Sequence, residues 1–145
     1  MRARMLSGSF LLAFLVATVP AAAQLATDPR ALAALAEKSG LRDVSGFVET
    51  VQSLRATGHL PPRYVTKEQA AERGWHGGGL CTIWPGHAIG GDVFTNAGHP
   101  LPRRIYHEAD LDETCNSRGP KRLIFADDGA IWLTPDHYGH FIPVP

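Results

Sequence analysis

Phe47, Val48, Val51 and Leu54 recur at the spacing of one helical face. They predict a helix that opens at Ser45, whose hydroxyl can cap the first turn, and closes at Gly58, where a C′ glycine belongs. Leu60-Pro61-Pro62 stops any continuation. A second, shorter helix is expected from Thr66, with Gln69 completing a capping box, and ends at Gly74. Trp75 follows, a large ring expected to pack both helices onto a sheet. The run Gly77-Gly78-Gly79 reads as a loop and Trp84-Pro85-Gly86 as a turn.

Downstream the period shortens to that of strands. Segments 92–95, 104–108, 122–126, 130–134 and 140–144 are short and rich in β-formers. Asp127-Asp128-Gly129 is a hairpin signal between two of them. Helices first and strands after predict an α+β fold, with N-terminal helices packed on a twisted antiparallel sheet of about five strands.

Upstream, Ala31–Glu37 has helix propensity but little polar face, between the breaks Pro29 and Gly40. It reads equally as a pro-segment, an extra helix or a linker. The first residues read as an export signal: Arg2 and Arg4, then the apolar run Phe10–Val16, then the small residues Ala21-Ala22-Ala23. That run is shorter than the ~20 residues needed to span a bilayer. The expected division is a signal peptide over 1–23, an extension or pro-segment over 24–45 and one domain over 46–145, secreted after cleavage near Ala23-Gln24.

Removing the signal changes the charge. Of 14 Lys+Arg the signal takes Arg2 and Arg4 and no acid, so the mature chain is slightly acidic against its 14 Asp+Glu. A protein that coats phosphates along a nucleic acid would be strongly basic, so phosphate recognition has to be local. Cys81 and Cys115, in an exported chain, most simply form one disulfide. In the chain-entropy model such a cross-link contributes on the order of 3–4 kcal/mol.

Glu108, Arg118, Arg122 and His137 are what metal-free phosphodiester cleavage requires: a proton acceptor, a proton donor and fixed cations for the charge on phosphorus oxygens. Alternation puts Glu108 on one strand face with Arg104, Tyr106 and Asp110, where a solvated surface pair is the bland alternative. Beside Arg118 and Arg122, its carboxylate would stay ionised, as a general base must. The planar fork of arginine matches two phosphate oxygens, although a basic loop protecting a sheet edge is the plainer reading. Lys67 stands in the first turn of a helix, where a cation is electrostatically misplaced, which hints at an anion to be approached. His137 and His140 form a His-x-x-His pair without a carboxylate or cysteine set at ligand spacing. A lone imidazole as general acid is the better reading, and no metal or cofactor is expected.

Several consecutive words carry a specific resemblance. They are Leu60-Pro61, Tyr64-Val-Thr-Lys67, Gly74-Trp75, Pro85-Gly86, Ile89-Gly-Gly-Asp-Val-Phe94, Asn96, Leu101-Pro102, Glu108-Ala-Asp110, Arg118, Arg122 and Asp136-His-Tyr138. In this order and near-constant spacing, residues 47–145 resemble the barnase-type bacterial guanyl-specific ribonucleases. The resemblance implies a metal-independent endoribonuclease that forms a 2′,3′-cyclic phosphate and then hydrolyses it. Glu108 would be the general base and His137 the general acid, with Arg118, Arg122 and Lys67 stabilising the transition state. Phe94, Thr95 and Asn96 would form the base-reading loop, and Tyr138 would line the cleft. RNA would be the substrate, a cytoplasmic barstar-like inhibitor a partner, and a monomer the default state.

The chain departs from that pattern after Asn96. The family normally carries Arg-Glu-Gly there, its Glu accepting from guanine, whereas this chain has Ala97-Gly98-His99-Pro100. Guanine preference is expected to weaken by the ~1–3 kcal/mol of a lost polar contact. The connection from Leu101-Pro102 to Glu108 is also shorter than usual. The rival reading is a non-catalytic RNA-binding or interaction module on the same scaffold. A metal-binding exported protein using His137 and His140 comes third.

Overall fold

A computed structural model describes residues 28–145. The expected signal peptide and its cleavage point lie outside the described residues.

The Ala-rich segment is a helix, α1 (Pro29–Lys38). Asp28 caps it by accepting from Arg30 N–H at 2.9 Å, and Pro29 occupies the first position, where a missing N–H costs nothing. Helix α2 (Val44–Thr57) turns Phe47, Thr50, Val51 and Leu54 inward. Its N-cap is Asp43 and not Ser45: the Asp43 carboxylate accepts from Gly46 N–H at 2.9 Å and from the Ser45 hydroxyl at 3.2 Å. The helix ends where expected, with Gly58 in the left-handed region at φ 74°. Strand β1 (Tyr64–Val65) leads into α3 (Lys67–Glu72), which carries the expected reciprocal capping box between Thr66 and Gln69.

Four further strands complete the main sheet: β2 (Ala88–Phe94), β3 (Tyr106–Asp110), β4 (Arg122–Ala126) and β5 (Ile131–Thr134). Strand β6 (Ile142–Pro143) closes the far edge, where Pro143 leaves no inner ladder bond unmade. The six strands lie in sequence order, all antiparallel except the β1–β2 pair. The sixth strand beyond the expected five is β1, two residues long and too short to show a period.

The sheet is covered on both faces. Ala109, Leu123, Phe125 and Leu133 pack against Phe47, Val51 and Leu54 of α2, and Leu32 and Ala36 of α1 complete that core. The other face gathers Tyr106, Ile124, Ala126 and Leu101 with Phe94, Trp132, Tyr138 and Phe141. Trp75 joins neither layer: it packs with Val65, Ala70, Leu80 and Ile89, fastening α3 alone to the β1–β2 edge. Cys81 and Cys115 form the expected disulfide, 34 residues apart in sequence with Cα atoms 4.8 Å apart.

Two local features set the register of the functional face. Gly90 packs so closely on Tyr64 that a Cβ would sit 2.6 Å from its ring, and Gly91 adopts φ 101° at a bulge between Gly90 and Asp92. Across the hairpins the register pairs Asp92 with Glu108, Glu108 with Ile124, and Asp110 with Arg122. Directly opposed residues share a face, so Glu108, Asp110 and Arg122 all emerge on the side away from α2.

Candidate active site

Glu108 is the central residue of β3 and only 7% exposed. Two donors satisfy it. Lys67 Nζ donates at 3.1 Å and the Tyr138 hydroxyl at 2.5 Å. The odd position of Lys67 is thereby explained. Asp92, which faces Glu108 across the β2–β3 pair, accepts from Lys67 N–H at 3.0 Å and so supplies the anion that the start of α3 prefers. The lysine side chain is left free to turn back onto Glu108.

The arginines pair with a second carboxylate. Arg118 grips Asp110 with a two-pronged fork, Nε to Oδ2 at 2.6 Å and Nη2 to Oδ1 at 2.8 Å. Arg122 Nε lies 3.0 Å from Asp110 Oδ1, although its N–H is not aligned for a hydrogen bond. Its Nη1 donates to the carbonyls of Lys121 (2.7 Å) and Gly119 (2.8 Å). Both arginines are thus anchored on a neighbouring carboxylate, while the charge of Glu108 still acts on Arg118. Their direct partner is Asp110, two residues along the same strand face, 2% exposed. Burial pushes the Asp110 carboxyl above its usual value, against the pull of Arg118 and Arg122. The hydrogen bond to Asp110 in turn raises the Arg118 guanidinium, so its charge is fixed.

His137 and Tyr138 sit on the turn after β5, with φ of 56° and 71°. The turn is held by His137 N–H on the Pro120 carbonyl (2.9 Å) and Tyr138 N–H on the buried Thr134 hydroxyl (2.9 Å). The Tyr138 ring stacks on Phe94 at 5.3 Å, and the exposed His137 ring lies 4.9 Å from the Tyr138 ring at a tilt. Burial, and then the hydrogen bond and charge of Glu108, push the Tyr138 phenol up to about 12. It therefore stays a neutral donor to Glu108.

An open cleft of about 400 Å³ is lined by Lys67, Val93, Phe94, Thr95, Ala97, Pro100, Glu108 and Tyr138. Five of the expected site residues thus share one hollow. Asn96 stands behind it, 5% exposed, closing the 96–101 loop through two bonds with the Leu101 backbone at 3.0 and 3.1 Å. Arg118 and Arg122 attach to the site through Asp110, and His137 through Tyr138.

The sequence model of a family described as ribonuclease matches residues 48–145. The chain belongs to the microbial ribonuclease family. It is 36% identical over 126 residues to a ribonuclease of Bacillus pumilus, covering 83% of this chain and 72% of the relative. It is 41% identical over 87 residues to a ribonuclease of Heyndrickxia coagulans, covering 57% of this chain and 80% of the relative. A ribonuclease of Bacillus intermedius shows the same identity over 87 residues, 57% of this chain and 54% of the relative.

Sequence reasoning about this ribonuclease missed two residues. Asp110 is placed on the Glu108 face but given no role, and Asp92 stands only within the word Ile89-Gly-Gly-Asp-Val-Phe94. The alternation that placed Glu108 and Asp110 on one face held the signal for the first; only the β3–β4 register reveals that Arg122 lies opposite. Among the described residues, no group of three or more His, Cys, Asp or Glu is placed to hold a metal ion. His140 Nδ1 instead pairs with Asp136 at 2.5 Å.

Proposed function

We propose that this ribonuclease is a metal-independent endoribonuclease acting on single-stranded RNA. The observation that carries the reading is a buried carboxylate, Glu108, held by Lys67 and Tyr138 at the floor of a cleft, one step from a doubly arginine-paired Asp110. Glu108 accepts the proton of the ribose 2′-hydroxyl as that oxygen bonds to phosphorus. The bond from phosphorus to the 5′-oxygen breaks, and His137 gives that oxygen a proton. The product is a 2′,3′-cyclic phosphate, which water then opens with the two roles exchanged. Lys67, Arg118 and Arg122 stabilise the charge on the phosphoryl oxygens. The nucleophile is already tethered beside its target, so positioning supplies much of the acceleration. DNA lacks that hydroxyl and stays intact.

Phe94, Thr95 and Asn96 form the base-reading loop, and Tyr138 is part of the cleft wall. Ala97 and Pro100 present carbon to the cleft where the family pattern carries an acid nearby, which supports a weakened guanine preference. Cleavage of GpN and ApN dinucleotides in EDTA tests both parts of the proposal. Cyclic phosphate from both substrates, guanine favoured modestly, is expected. Strict guanine selectivity would remove the loop argument, and RNA bound but uncut would leave the non-catalytic module.

The mature chain is secreted after cleavage near Ala23-Gln24 and acts as a monomer, and an acidic barstar-like protein fills the cleft of any enzyme retained in the producer's cytoplasm.

A further inference from the structure

Residues 28–43 precede the span 48–145 matched by the family model, yet they are built into the core. Leu32 and Ala36 of α1 are fully buried in one cluster with Phe47 and Leu123. The junction between α1 and α2 reaches further, onto the arch 111–121 that joins β3 to β4. The Asp112 carboxylate, 4% exposed, accepts from Arg42 N–H at 2.8 Å, Asp43 N–H at 2.9 Å and Lys121 Nζ at 2.6 Å. Lys121 Nζ also donates to the Gly40 carbonyl at 2.5 Å, and Arg42 Nη2 donates to the Asp112 carbonyl at 2.9 Å.

This knot sits one rung beyond the Asp110–Arg122 pair. Leu111 N–H donates to the Lys121 carbonyl at 3.1 Å, and the same carbonyl accepts from Arg122 Nη1 at 2.7 Å. The α1–α2 junction thus grips the side chain of Lys121 while the lysine's own carbonyl aims Arg122. Arg118 rides on the same arch. Burial alone would raise the Asp112 carboxyl, but the Asp43 N–H, the Lys121 ammonium and the Arg42 N–H hold it below the usual carboxylate range. The charge that anchors the knot is therefore present wherever the enzyme works.

We propose that residues 28–43 are a permanent part of the enzyme, and that Asp112 and Lys121 are positioning residues coupling the α1–α2 junction to Arg122 and Arg118. The proposal rests on the ribonuclease reading above. Neither residue lines the cleft, so substrate binding should change little. The arginines meet charge that develops in the transition state, so their misplacement lowers kcat.

Two measurements test it. The first is N-terminal sequencing of the chain after export from a host carrying the full gene. A start at or before Asp28 is expected, and a start at Val44 or later would overturn permanence. The second compares Lys121→Met and Lys121→Arg with wild type on RNA, at a temperature where circular dichroism shows all three folded. Lys121→Met should lower kcat by about tenfold while KM moves less than about twofold, and Lys121→Arg should recover most of the loss. An unchanged kcat with only a lower Tm would overturn the positioning role. If Lys121→Met does not fold, Arg42→Ala tests the same knot more gently; kcat equal to wild type overturns the claim. A wild type that leaves RNA intact overturns the ribonuclease reading and the positioning claim with it, while the mature N-terminus still decides permanence.

Discussion

Replacing Asp110 with Asn keeps the shape of the side chain and removes its charge. The native carboxylate is 2% exposed and holds the Arg118 fork at 2.6 and 2.8 Å, with Arg122 Nε at 3.0 Å. An amide offers one acceptor oxygen and turns an NH₂ group toward guanidinium protons. Arg122, at 4% exposure, is left as a buried cation without a counter-charge. Removing one partner of a buried pair costs about 3–5 kcal/mol. The Arg118 side chain is 22% exposed and can recruit water, so the lower end, about 3 kcal/mol, applies. For a domain of this size that is a fall in Tm of roughly 10 °C. At a temperature where the variant is folded, kcat on RNA should fall at least tenfold, since both arginines lose the anchor that orients them. Thermal unfolding followed by circular dichroism, with steady-state kinetics on the same preparation, reads both quantities. A Tm within about 2 °C of wild type, meaning a loss below roughly 1 kcal/mol, would refute the view of Asp110 as the electrostatic hub.

Three more outcomes follow from the same geometry. Ultraviolet titration of wild type and Tyr138→Phe should differ by one tyrosine ionising at about pH 12; if the missing phenol titrates near the ordinary value of 10, the close bond to Glu108 is wrong. Asn96→Ala removes both bonds to the Leu101 backbone at a residue with φ 49°, and should raise KM for dinucleotides severalfold while costing about 2 kcal/mol in urea unfolding. An unchanged KM would mean that the loop needs no such brace. Cys81→Ser with Cys115→Ser should cost about 3–4 kcal/mol relative to the oxidised chain, and dithiothreitol should destabilise wild type but not the double variant.

What could be read from the sequence was local. The Thr66–Gln69 capping box, Gly58 at the end of α2 and the hairpin at Asp127-Asp128-Gly129 each depend on residues within a few positions of one another. The choice of Asp43 over Ser45 as cap was less legible, because Asp43 is also tied to Asp112, 69 residues away. Strand β3 starts at Tyr106, two residues later than its β-rich stretch, because it pairs with Phe94 where β2 ends; Ile105 is left 71% exposed. The site followed the same division. Alternation placed Glu108 and Asp110 on one face, but which carboxylate would take the arginines depended on the β3–β4 register and on the path of the arch to Arg118. Helix α1 stayed ambiguous because its fully buried face, Leu32 and Ala36, is small and its partner surface comes from elsewhere in the chain.

In the proposed mechanism Glu108 removes the proton that starts RNA cleavage. Single-turnover cleavage of a dinucleotide in EDTA, by wild type and by Glu108→Gln, measures it most directly. The account predicts a 2′,3′-cyclic phosphate from wild type and a rate lower by about 10²–10⁴-fold in the variant. A Glu108→Gln enzyme as fast as wild type would contradict it.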